Sequence, residues 1–87
     1  MDSILSIRSN IMNRARRRRK SLKFSQVELS RRSGVSLGSV KRFESTGEIS
    51  LTSLLKIAIA LECEGDFKEL FSRKNYRSLQ EVINETN

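Results

Sequence analysis

The sequence predicts an all-α fold: a compact bundle of five helices, with a short further helix at its C-terminus. Three observations predict it. The 87 residues hold no proline and only four glycines. Apolar residues recur three and four positions apart along most of the chain, the period of a helix with one buried face. Serines and glycines fall where helices must start and stop. A chain of this length supports one small core and one domain.

The first helix runs from near Ser3 to Ser21. Ile4, Ile7, Ile11, Ala15 and Leu22 make its apolar stripe. The run RARRRRK, Arg14 to Lys20, lies on its later turns. Taken alone such a run reads as a solvated face, but apolar residues bracket it on both sides, so it belongs to the helix rather than to a free tail. The second helix opens at Ser25, where Ser25 and Glu28 form an S-x-x-E capping box, each side chain satisfying a free N–H of the other. Val27, Leu29 and Ser33 are expected to face the core. Gly34 supplies the left-handed residue that stops a helix abruptly, Val35 fills the turn, and Ser36 caps the next helix. The third helix extends from Leu37 to about Ser45. Val40, Phe43 and Glu44 share one face, with Gly38, Lys41, Arg42 and Ser45 roughly opposite. Gly47 can end it as Gly34 ended the second.

The fourth helix begins after Ser50 in LTSLLKIAIALEC. Leu51, Leu54, Ile57, Ala58 and Leu61 make a core face, and Leu55 and Ile59 a second apolar strip. Two apolar strips on one short helix call for two partners: either the chain packs on both sides of it, or the second strip meets another subunit. Gly65 is expected to close this helix, and DFKELF to form a short fifth one with Phe67, Leu70 and Phe71. SLQEVINE, Ser78 to Glu85, opens on another capping box, Ser78 and Glu81. It reads as a terminal helix held by Leu79, Val82 and Ile83, with a strand as the alternative.

Charge narrows the function. Lysine and arginine number 17 against 10 acidic residues, a net charge of +7, and the isoelectric point is near 10.3. The excess is one-sided. Residues 1–47 carry 12 basic and 3 acidic residues, whereas residues 48–87 carry 5 and 7. The first half therefore suits a polyanion, and the second half must serve another purpose. With no histidine and one cysteine, the chain lacks the usual zinc ligand sets, and no metal or other cofactor is expected. Cys63 cannot form an internal disulfide, which fits a reducing cytoplasm, and it reads as a core or helix-end residue. No apolar run reaches membrane-spanning length, and MDSILSIRSN has no basic segment ahead of its apolar stretch to make it a secretory signal. Paired carboxylates at catalytic spacing and a phosphate loop are absent, so an enzyme is not expected.

Two short helices joined by a glycine turn cross at a large angle, and the second is pushed outward where its first turn can enter a major groove. SQVELSRRSGVSLGSVKRFE resembles the helix-turn-helix of the lambdoid phage repressor and Cro class, the XRE family. The likeness extends from about Ile11 to Leu61 without an apparent gap. KRFESTGEISLTSLLKIAIAL is similar to the HipB-like antitoxins and autorepressors, a subgroup often paired with HipA-type kinase toxins.

The resemblance implies a repressor-like DNA-binding domain over residues 1–72, with residues 73–87 as a C-terminal tail or short helix. It implies a cytoplasmic repressor that binds a palindromic double-stranded DNA operator as a homodimer, and a HipA-like kinase toxin as a further partner. It also places roles on residues. Gln26 matches a position that bonds a DNA phosphate and braces the reading helix. Ser36 caps that helix. Leu37, Gly38 and Arg42 match positions facing base edges, flanked by Ser39 and Lys41, and Ser45 matches a backbone contact. Arg19 and Glu44 match an ion pair between the first and third helices, with the arginine often near phosphate as well.

One departure matters. The long amides common at the first reading positions are missing. Leu37 offers only apolar contact, for example to a thymine methyl, and Gly38 only close approach. Arg42 becomes the leading base contact, as a fork on guanine, with a phosphate contact as the alternative. Arg14, Arg18, Lys23, Arg31 and Arg32 are the phosphate candidates, and Glu48 in TGEIS weakens backbone binding by its loop. Two other readings stand beside the repressor: an interaction subunit whose acidic, apolar second half grips a partner, and a basic RNA-binding module. The RNA-binding reading lacks aromatic stacking platforms, since Tyr76 and the four phenylalanines mostly read as core.

Overall fold

A computed structural model of the protein describes residues 3–73. The helix expected over Ser78–Glu85 lies outside the described residues. Within them the fold is all-helical: α1 (Ile4–Ser21), α2 (Gln26–Ser33), α3 (Leu37–Thr46), α4 (Leu51–Ala60) and α5 (Glu64–Lys68).

The first four helices start the same way. Ser3, Ser25, Ser36 and Ser50 are N-caps whose hydroxyls accept from the backbone N–H three residues on, at 3.0–3.2 Å. Each such cap contributes about 1 kcal/mol. The capping box at Ser25 is only half made. Its hydroxyl accepts from Glu28 N, but the Glu28 carboxylate turns away to Arg31 and Arg32, because two guanidiniums one turn downstream outcompete one backbone N–H.

The helix ends divide into two kinds. α2 and α3 close on glycines in the left-handed region, Gly34 at φ 76° and Gly47 at φ 80°. α1 and α4 close without glycine. Lys23 (φ 64°) and Glu62 (φ 60°) take the left-handed conformation instead. The N–H groups just after them return to the helix, Phe24 to Arg19 O at 3.1 Å and Cys63 to Ala58 O at 2.8 Å. These bonds satisfy carbonyls that the helix end would otherwise leave free. Gly65 therefore does not end α4 as expected. It lies inside α5, which is shorter than DFKELF and leaves Leu70 and Phe71 exposed.

α2 packs against both α3 and α4, α1 against α3, and α5 against α4. The core is Leu29, Val35, Val40, Phe43, Ile57 and Leu61, with Met12, Ala15, Leu22, Phe24, Ile49 and Leu54 among its shell. Three expectations about burial fail. Val27 is exposed, because residues two apart on a helix point about 200° apart, so it cannot share the buried face of Leu29. Leu51 lies seven residues before Ala58, on the same side of α4 but past the edge of the core, and is exposed. Ile4, Ile7 and Ile11 are exposed too. The core touches α1 only from Met12 onward, so the first half of that helix has little beneath it.

Candidate nucleic-acid interface

α3 is sorted cleanly into two faces. Val40, Phe43 and Glu44 are at most 3 % exposed, and Gly38, Lys41, Arg42 and Ser45 all face solvent. Ser36 caps the helix and donates its hydroxyl to Ser39 Oγ at 2.9 Å. Leu37 and Ser39 are half-buried at its first turn. The outer face thus offers a bare helix backbone at Gly38, and one turn on it carries two cations.

The inner face explains why α3 is rigidly placed. The Glu44 carboxylate accepts from Arg19 at both oxygens, Nε at 2.7 Å and Nη2 at 2.8 Å, and from Gln26 Nε2 at 3.1 Å. Arg19 Nη1 donates to Phe24 O at 2.9 Å. Arg16 donates to the Glu44 carbonyl and brings Nε within 3.6 Å of the carboxylate. One carboxylate therefore ties α1, α2 and α3 together. Burial pushes the Glu44 carboxyl up, but the bonds from Arg19 and Gln26, with the charges of Arg19 and Arg16, outweigh it and hold the group below the usual carboxylate range. Arg19 is 8 % exposed with three N–H groups committed. Its part here is to hold the scaffold. Gln26 braces α3 through Glu44 from the first residue of α2.

The other arginines separate by the same test. Arg18 donates Nε to Leu61 O at 2.9 Å and lies 3.5 Å from the Glu62 carboxylate. Arg31 and Arg32 both bond Glu28, and Arg32 stacks over the Phe24 ring at 4.3 Å. The Arg31 hydrogen bond is the main cause that takes the Glu28 carboxyl down to about 2; desolvation opposes it, and the Arg32 bond and both charges add to the lowering. Arg14, Lys23, Lys41 and Arg42 make no ion pair among the described residues. They are among the cations left for a polyanion.

Beside α3 lies an open groove of about 330 Å³ lined by Ser39, Arg42, Glu48, Ile49, Ser50 and Ser53. The TGEIS loop forms its far wall. Thr46 Oγ1 donates to Arg42 O at 2.7 Å and accepts from Glu48 N at 3.0 Å, which shapes that wall. Ser45 also turns its hydroxyl back to Arg42 O, at 3.2 Å. Glu48 is paired with Arg8 at 2.9 Å, so its charge is partly answered at the groove mouth.

Two contributors escape a reading of the sequence. Arg16 stands three residues before Arg19, on the same helix face, and that spacing is the signal that could have found it. Arg8 packs its stem on Gly47, where any side chain would collide with it, and no local pattern marks that contact.

Among the described residues no helix is long and apolar enough to cross a membrane, and no cluster of potential metal ligands occurs. Neither the curated proteins nor the solved structures give a significant match to the chain. A family model does: the helix-turn-helix model matches residues 16–68, from the later turns of α1 to the last residue of α5. With its glycine-turned helix pair, its braced and solvent-facing α3, and more than half its length inside that match, the chain belongs to the XRE-type helix-turn-helix family of DNA-binding transcription regulators.

Proposed function

We propose that the protein is a sequence-specific transcriptional repressor that binds a palindromic operator as a homodimer through α3. The observation that carries this is the sorting of α3: an inner face locked by Glu44 and an outer face of Gly38, Lys41, Arg42 and Ser45 left to solvent. A helix held this firmly presents its outer residues in one geometry, which base-edge recognition demands. Arg42 reads a guanine through its fork, Gly38 lets the backbone approach the groove floor, and Leu37 packs on a thymine methyl. Gln26, Ser39, Lys41 and Ser45 serve the phosphates, and Lys23 adds sequence-independent attraction. One module buries too little surface for tight binding, so two half-sites about 34 Å apart are expected.

Selection of bound sites from random DNA tests this, run at about 50 and about 200 mM salt. An enriched palindrome and a steep loss of affinity with salt are expected; recovery of no preferred sequence at either salt sinks the assignment. In Arg42→Ala, preference at one base pair of each half-site relaxes by about 1–3 kcal/mol. A uniform loss across all sequences would instead place Arg42 on phosphate.

The narrower proposal is that this repressor is the antitoxin and autorepressor of an operon with a HipA-like kinase toxin. It is supported by the likeness of KRFESTGEISLTSLLKIAIAL to the HipB-like antitoxins. The genes adjoining this one decide it: no kinase-like neighbour, and no kinase retained by the purified chain, would remove it.

A further inference from the structure

Away from the reading head, apolar side chains stand exposed on two helices. α1 and α4 are clasped at two places. Arg8 bonds Glu48 just before α4 starts, and Arg18 bonds Leu61 O and Glu62 just after it ends. The two helices therefore run in the same direction, joined at both ends through long side chains. Between and around the clasps, both expose apolar residues at helical spacing: Ile4, Ile7 and Ile11 on α1, Leu51, Leu55 and Ile59 on α4.

Helix geometry puts these six on one face. Ile4, Ile11 and Arg18 are seven residues apart and share one line on α1. Leu51, Leu55 and Ile59 are four residues apart and follow one strip of α4, and Glu62 lies just past its end. Because the clasps hold both ends of α4 to α1, the isoleucines of α1 and the apolar strip of α4 stand on neighbouring helices. From Ser3 to Asn13 the only charged residue is Arg8, already paired with Glu48. Ile4, Ile7 and Ile11 also precede the residues that match the helix-turn-helix model.

We propose that this α1–α4 face is the homodimer interface, with α1 of one copy lying over α4 of the other. The proposal rests on the homodimeric reading above and names its surface. Two arguments select a second copy as the occupant. First, the size fits. The six side chains expose on the order of 600 Å² in each copy, about 1,200 Å² for a symmetric pair, the lower edge of stable specific interfaces. Second, the rims are complementary. The α1 edge carries exposed Arg14, seven residues past Ile7, and the end of α4 carries Glu62, which meets Arg18 of its own copy at 3.5 Å and still leaves 76 % of its side chain exposed. Turning one copy about a two-fold axis parallel to the helices sets each α1 over the other α4 and each Arg14 toward the other Glu62. The patch contains no reading residue of α3, so pairing through it leaves both reading heads free.

The test is the solution mass of the full chain without DNA, by sedimentation across a dilution series, with helix content tracked by circular dichroism. The wild type is expected at twice the 10.0 kDa chain mass. Ile7→Lys and Leu55→Lys are expected at the chain mass with helix content intact. Val27→Lys, on the exposed side of α2, keeps the wild-type mass. A wild type that stays at the chain mass throughout overturns both this surface and the homodimeric reading. A dimer that survives both lysines overturns the surface alone, and so does one that Val27→Lys dissociates. Exchange of the rim charges sharpens the geometry: Arg14→Glu weakens pairing, and adding Glu62→Arg restores it. If the double exchange restores nothing, α1 does not lie over α4.

Discussion

In α3, Val40 and Phe43 sit three residues apart and are almost wholly buried; in the first half of α1, Ile4, Ile7 and Ile11 keep the same kind of spacing and remain exposed. Both stretches are helical, and both have one apolar side. What separates them is what the rest of the chain puts opposite. α3 lies between α1 and α2, and its one buried charge is answered by three side chains from those helices. The first half of α1 runs past the loop between α3 and α4, where Arg8 packs on Gly47 and bonds Glu48. Hydrophobic spacing tells which side of a helix wants burial. It does not tell whether this copy of the chain supplies the cover.

The widest gap between the two regions should appear in stability. Glu44→Ala removes the carboxylate and leaves Arg19 buried without its partner, a change expected to cost about 3–5 kcal/mol, a large share of what holds a domain this small together. Ile4→Ser in the other region, measured at a dilution where the chain is single, is expected to stay within about 0.5 kcal/mol. Urea unfolding monitored by circular dichroism measures both, and a Glu44→Ala variant as stable as Ile4→Ser would erase the distinction. Acid probes the same contact. Glu44 is held below its unfolded value, near about 4.3 for a free glutamate, so the unfolded chain takes up that proton first. The pair's contribution is whole above that pH and drains away as pH falls through the lower, folded value. The wild-type urea midpoint should therefore fall through this acid window, and Glu44→Gln should flatten the fall.

These two regions also mark what could be read in advance. Around α3 the signals are local. Ser36 and Gly34 flank a turn whose chemistry is spelled out in neighbouring residues, and Val40, Phe43 and Glu44 announce one face. The likeness to a repressor paired Arg19 with Glu44, and the structure joins them at both oxygens. Elsewhere the decisive partners are distant in sequence. That Arg18 would cap the end of α4 through Leu61 O, or that Arg31 and Arg32 would draw Glu28 out of its capping box, depends on which groups tertiary packing brings near. Lys23 and Glu62 hide two helix ends because the left-handed residue is not glycine there.

The turn that separates α2 from α3 offers a smaller, sharper effect. Gly34 has φ 76°, yet a Cβ placed there meets nothing within 4 Å. Gly34→Ala should therefore lose only the conformational cost of a left-handed residue, about 1–2 kcal/mol. Gly47 has nearly the same φ, 80°, but its Cβ would strike the Arg8 stem. Gly47→Ala should lose more, and should loosen the first half of α1 as it does so. Equal losses at the two glycines, measured by thermal unfolding, would mean that Arg8 swings aside freely and that the clasp between α1 and the loop contributes little.

The smallest effect on folding carries the most information about reading. Gly38 lies inside α3, where alanine is favoured over glycine by about 0.8–1 kcal/mol, and a Cβ there meets nothing within 4 Å. The fold alone gives no reason for glycine at this position. Gly38→Ala is therefore expected to stabilise the domain, raising its melting temperature by roughly 4–8 °C per kcal/mol gained, while weakening operator binding. That opposite pair of signs is the mark of a residue kept small for something outside the chain. A variant that gains stability and binds its operator as well as the wild type would show that the backbone at Gly38 never reaches the groove floor. The burden of base recognition would then fall on Arg42 and Leu37.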